Sequence, residues 1–251
     1  MRVRSTTVDV PTGDGAADAI LASPLEGGPY PGVLVYMDAF GLRPRLEEMA
    51  SRIAAEGYVV LVPNVFYRSG RAPLVEVDGL DQPDVRARAF GTLRPIMQGL
   101  TPDLAMRDAD AYLAFLAADP RVVDGPMGTV GYCMGGALAL RTAAHFPDRV
   151  AAAASFHGGR LATDQPESPH LLADRLEAEV YLGHADNDAS ITPEPQETLV
   201  DALTSAGVRF VSEVYDGAAH GFTMADTAAY DEGAEARHWD RLLDLFARTL
   251  R

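Results

Sequence analysis

Compact apolar runs alternate along this chain with longer segments whose apolar residues recur at helical spacing. "PGVLVYMD" (31–38) and "GYVVLVPNVF" (57–66) are bounded by glycine or proline and read as strands buried on both faces. Between them, "RPRLEEMASRIAAEG" sets Leu46, Met49, Ala50 and Ile53 on one helical face and stops at Gly57, completing a βαβ unit. Helix "TPDLAMRDADAYLAFLAAD", strand "MGTVGYC", helix "MGGALALRTAAHF" and strand "RVAAAASFHG" continue the rhythm. Strand "AEVYLGHAD", helix "PEPQETLVDALTSAG", strand "VRFVSEVYDG" and helix "EARHWDRLLDLFARTL" complete it. Such alternation predicts an α/β fold with a doubly wound, mostly parallel sheet and helices on both faces. Two runs near 5–10 and 16–22 lack an intervening helix, so an antiparallel N-terminal edge is expected. The expectation is a single domain over 1–251, in which residues 67–100, with five arginines, form a long connection covering the active site.

Composition narrows the function. With 47% hydrophobic residues in 251, a large core is available. The formal charge of −15 repels nucleic acid and anionic membranes, so neither is an expected partner. No apolar run approaches the ~18 residues of a membrane span, and the opening "MRVRSTTVDV" lacks a signal-peptide core; a cytoplasmic protein is expected. Lysine is absent, which removes Schiff-base and phosphate-loop chemistry. One cysteine and six scattered histidines give no internal disulfide and no zinc signature, so neither metal nor organic cofactor is expected.

That one cysteine sits in "TVGYCMGGA", where a strand turns into a helix. Gly131, Cys133 and Gly135 have the spacing of a nucleophile elbow, with sulfur replacing the usual hydroxyl and Gly136 adding room. At the amino end of a helix the dipole favours an anion. The N–H of Met134 is then aimed at an oxyanion, and a second donor is expected from Ala39, after the strand "VLVYMD".

An acid and then a histidine base should follow the nucleophile along the chain. His220 in "YDGAAHGFTM" comes straight after the last strand and is the chosen base. His157, at the end of "AAAASFHG", is its nearest rival or a pocket-lining residue; His145, His170 and His238 are placed less well. For the acid, "GHADNDASITP" offers Asp186 and Asp188; Asp188 is preferred because the Ala-Ser-Ile-Thr after it fits the start of the next helix.

These residues resemble the dienelactone hydrolase family of the α/β-hydrolase fold from about residue 8 to the end, through "GYCMGG", "GAAHGF" and "YMDAFGLRPRLEEMASRIAAEGYVVLVPNVFYR". The resemblance implies a Cys133 nucleophile, a His220 base, an Asp188 partner and a small ester or lactone substrate hydrolysed through a thioester. It also implies a substrate-binding or thiol-modulating carboxylate at Asp38. One departure concerns charge: where the family carries a substrate-binding arginine after the histidine, this chain has Thr223 and Met224. Arg68, Arg86 and Arg88 are the candidates left to supply it. A neutral ester, lactone or thioester therefore fits as well as a dienelactone, with a carboxylesterase, thioesterase or non-catalytic binding protein as alternatives.

Overall fold

The computed structural model describes residues 1–188 and 193–251. Contacts divide the chain into two compact units, Met1–Met127 with Asp226–Ala228, and Gly128–Ala225 with Ala229–Arg251.

In the first unit β1 (Val3–Thr12) and β2 (Gly15–Pro24) form an antiparallel hairpin in which Thr12 faces Gly15, leaving Gly13 and Asp14 to make the turn. β2 pairs antiparallel with β4 (Val59–Pro63), and β4 pairs parallel with β3 (Gly32–Tyr36), giving the order β1-β2-β4-β3. A parallel pair needs a crossover, and α1 (Pro44–Ala55) provides it. Every residue of β3 and β4 is buried, as the apolar runs require. α1 buries Leu46, Met49, Ala50 and Ile53, the stripe expected from their spacing, together with Ala54. Each large side chain in that stripe contributes roughly 1.5–3 kcal/mol by leaving water.

Residues 67–100 contain regular structure that periodicity did not reveal. α2 (Pro83–Gly99) occupies half of this connection. Pro83 and Asp84 suit its first turn, but Gly91 and Pro95 interrupt the helical pattern and only Ala89 and Leu93 are buried. The helix consequently has almost no apolar stripe to read. α3 (Pro102–Ala118) follows, with the Thr101 hydroxyl accepting from the Leu104 N–H at 3.3 Å as its cap.

The second unit orders its strands β5-β6-β7-β8: Met127–Tyr132, Val150–Phe156, Glu179–Asn187 and Phe210–Ala219. β6, β7 and β8 pair parallel, with Ala154 opposite Tyr181 and Leu182 opposite Ser212. β5 shows how both faces are covered. On one face Gly128 lies against Phe246, and the Tyr132 hydroxyl meets His238 Nε2 at 2.9 Å, both partners on α6 (Glu232–Thr249). On the other face Thr129 donates to the Ala139 carbonyl at 3.2 Å and Gly131 abuts Gly135, both on α4 (Met134–His145). α5 (Pro193–Ser205) connects β7 to β8. The chain thus has the doubly wound α/β architecture, antiparallel at its N-terminal edge and with helices on both faces, that the alternation implied.

Candidate active site

At the end of β5 the backbone turns through Cys133 with φ 56 and ψ −121, a left-handed conformation that a residue with a Cβ adopts only under constraint. Three backbone hydrogen bonds hold it there. The Cys133 N–H donates to the Phe156 carbonyl at 3.2 Å, and its own carbonyl accepts from Gly136 and Gly159, each at 3.1 Å. The glycines permit the bend: a Cβ on Gly131 would stand 1.9 Å from the Gly135 oxygen, and one on Gly136 would stand 2.2 Å from Ser155 Oγ. Met134 is the first residue of α4, so its N–H is among those a helix leaves without an internal acceptor.

His220 is the first residue after β8, and its Nδ1 lies 2.5 Å from Asp188 Oδ2. Asp188 sits just beyond β7 with its side chain 1% exposed, while that of His220 is 30% exposed. Cys133 lies close enough to act on the ring as well. Burial disfavours a charge on His220, but the hydrogen bonds and negative charges of Asp188 and Cys133 outweigh it, and the ring is pushed up to about 10. Cys133, His220 and Asp188 are thus brought together in the second unit. Asp186 is not with them: its Oδ2 accepts from the Gly217 N–H at 3.0 Å. Residues 189–192, whose pattern favoured Asp188 in the sequence, lie outside the described residues.

The profile of the dienelactone hydrolase family matches residues 17–250. The chain belongs to the dienelactone hydrolase family. It is accordingly a hydrolase of carboxylic ester bonds with an α/β-hydrolase fold. A carboxymethylenebutenolidase of Rhodococcus opacus is 30% identical over 222 residues, covering 87% of this chain and 81% of that protein. The crystal structure of a dienelactone hydrolase-like promiscuous phosphotriesterase from metagenomic libraries superposes with a TM-score of 0.83 at 26% identity, over 99% of both chains. A dienelactone hydrolase of Anabaena variabilis shares the fold with a TM-score of 0.70 at 19% identity, over 100% of both chains.

The other expected site residues of this family member fall in the first unit. Ala39 is buried in the turn after β3. Asp38 is 4% exposed, and both its oxygens are bound by Arg43, Oδ1 to Nη1 at 2.6 Å and Oδ2 to Nη2 at 2.9 Å. Arg43 also holds Asp226, through Nε at 2.5 Å and Nη2 at 3.2 Å. Burial opposes the guanidinium's charge, and the two carboxylates raise its pKa nonetheless. Sequence reading missed this arginine. The available signal was Pro44, which forces the residue before it into an extended backbone, here φ −162, at the head of α1. Asp226 is 183 positions away and gave no local sign.

Arg68 is engaged by Asp108 through Nη1 at 2.7 Å and by Asp14 through Nε at 2.8 Å. Arg88 pairs with Asp84 one helical turn away, and Arg86 is half-buried. His145 and His170 meet a backbone carbonyl and a serine hydroxyl, respectively. Among the described residues, no group of three or more His, Cys, Asp or Glu side chains is placed to hold a metal ion, and no helix is long and apolar enough to cross a membrane.

Proposed function

We propose that this hydrolase cleaves a small ester, lactone or thioester through a cysteinyl thioester, with Cys133 as nucleophile, His220 as base and Asp188 orienting the base. The observation that carries this reading is a thiol on a left-handed backbone at φ 56, at the head of α4, acting on a ring whose Nδ1 is 2.5 Å from a buried carboxylate. The sulfur anion attacks the carbonyl carbon, and the displaced electron pair moves to the oxygen. The N–H groups of Met134 and Ala39 stabilise that oxyanion, each worth roughly 3 kcal/mol. Collapse breaks the acyl C–O bond of an ester or lactone, or the C–S bond of a thioester, and the leaving alkoxide or thiolate takes the proton held by His220. The neutral ring then removes a proton from water, hydroxide adds to the thioester, and the departing sulfur re-forms the ion pair. No metal or organic cofactor enters the scheme.

Arg68 and Arg88 are already bound to acidic partners, which favours a neutral substrate over a carboxylate. Asp38 enters through Arg43, whose charge it balances. The charge of −15 supports a small-molecule partner rather than nucleic acid. A panel of p-nitrophenyl esters, thioesters and unsaturated lactones tests the proposal with wild type and Cys133→Ala. Turnover is expected to fall by about 10⁴-fold in the variant, and mass spectrometry of quenched wild type is expected to find an acyl adduct on Cys133. Undiminished hydrolysis by Cys133→Ala would overturn the assignment.

A further inference from the structure

We infer that His157 is a positioning residue for His220: it braces the base's ring and anchors the turn that carries it. The inference rests on the reading of His220 as the base acting with Cys133.

His157 closes β6 with its backbone at φ 39, one of three residues other than glycine in the left-handed region among those described. It is 0% exposed, and its N–H is tied to the Gly183 carbonyl at 2.7 Å. A residue needed only to fill space gains nothing from such a backbone, so the strain points to a required direction for the ring. The ring stands edge-to-face against His220, with centroids 5.2 Å apart at 64°, and against Phe222 at 5.1 Å and 79°. Its Nε2 meets the buried Thr223 hydroxyl at 2.8 Å. Thr223 lies three residues after His220 in a turn closed by Phe222 N–H to Ala219 carbonyl at 3.1 Å and Met224 N–H to Gly221 carbonyl at 2.8 Å. His157 therefore grips the catalytic segment at two points, the ring of His220 and the hydroxyl of Thr223.

A second general base is excluded by the same geometry. Nε2 is occupied by Thr223, and Nδ1 has no hydrogen-bond partner among the described residues. Burial, followed by the neighbouring His220 and His238, holds His157 well below the ordinary histidine range, while Asp188 pulls weakly the other way. It remains uncharged beside a charged His220. An uncharged ring can wall an imidazolium without repelling it; a second cation there would repel. The unpartnered Nδ1 takes the state that costs least, a bare lone pair, leaving the proton on Nε2 to be donated to Thr223 Oγ1.

The test uses the full-length protein as wild type, Cys133→Ala, His157→Phe and Thr223→Val. Phenylalanine keeps a ring in place and deletes the link to Thr223; valine deletes only the hydroxyl. Two readouts are taken: kcat and KM on a p-nitrophenyl ester, and the pH profile of Cys133 alkylation by iodoacetamide. We expect kcat to fall by about tenfold in His157→Phe and about threefold in Thr223→Val, with KM within about twofold of wild type in both. The alkylation rate at mildly acidic pH should fall in the same order, because the sulfur anion loses a correctly turned imidazolium. Unchanged kcat and an unchanged alkylation profile in both variants, with Cys133→Ala inactive, would overturn the role of His157 and leave the hydrolase reading standing. Wild-type turnover in Cys133→Ala would overturn that reading and the inference with it. Should His157→Phe fail to fold, Thr223→Val decides alone, by the same fall or its absence.

Discussion

In the second unit one carboxylate, Asp188, meets one imidazole, and that imidazole keeps an edge for sulfur. In the first unit two carboxylates, Asp38 and Asp226, close around one guanidinium and engage all three of its nitrogens. The His220 side chain is 30% exposed and that of Arg43 is 0% exposed. Both clusters are ionic, buried in part or in full, and assembled from residues distant in sequence. The difference lies in the partners: both groups on the Arg43 guanidinium are carboxylates and engage every nitrogen, whereas the His220 ring shares one carboxylate with a thiol. Charge pairing alone therefore does not mark a reactive site.

Asp188→Asn should break the reactive cluster most severely. The amide cannot stabilise an imidazolium and favours the wrong tautomer, so kcat should drop by about 10³-fold or more, measured on the best ester of the panel, and the thermal midpoint should fall with it because Asp188 holds the His220 proton. Arg43→Ala should show a folding defect above all. It strands two acids around a buried gap and is expected to cost about 3–5 kcal/mol in urea unfolding.

Acidity offers a subtler probe. The folded-state pKa of His220 lies near 10, against 6.5 for the free side chain, so the native protein holds the extra proton between these values. Its contribution to stability is then complete below pH 6.5 and is lost as pH rises toward 10. Urea midpoints followed through that window should decline in wild type, and the decline should be shallower in His220→Gln. Asp186→Asn should change least, because an amide oxygen still accepts from the Gly217 N–H; activity should stay within about twofold of wild type. A large loss there would transfer the orienting role from Asp188 to Asp186.

How legible each cluster was in the sequence follows from the range of its interactions. The strand-to-helix junction at Cys133 is a local event. Glycines at fixed offsets announce it, because only they tolerate the contacts that Gly131 and Gly136 make. The βαβ rhythm likewise exposed β3, α1 and β4, since each element buries a periodic face. His220 and Asp188 could be sought once the junction was found, as both close strands of the same sheet. Arg43 had no such guide: its ring of acids depends on Asp226 meeting a residue 183 positions earlier. α2 was hidden because a helix burying only two side chains leaves little periodicity to detect. The strain at His157 was invisible as well, since a histidine followed by two glycines reads as an ordinary strand end.

The tight fit around Ser155 has a consequence for how this family member can change. Its hydroxyl oxygen occupies the volume that a methyl group on Gly136 or Gly158 would need, at 2.2 and 2.1 Å respectively. The scaffold is consequently intolerant at the glycines and more tolerant at the tip they support. Exchanging the sulfur of Cys133 for oxygen shrinks one atom at an already half-open tip, whereas a single extra carbon two or three positions away would push the helix off the strand. Evolution or design can therefore exchange the atom at the tip without rebuilding its cradle, whereas the cradle itself has no room to change.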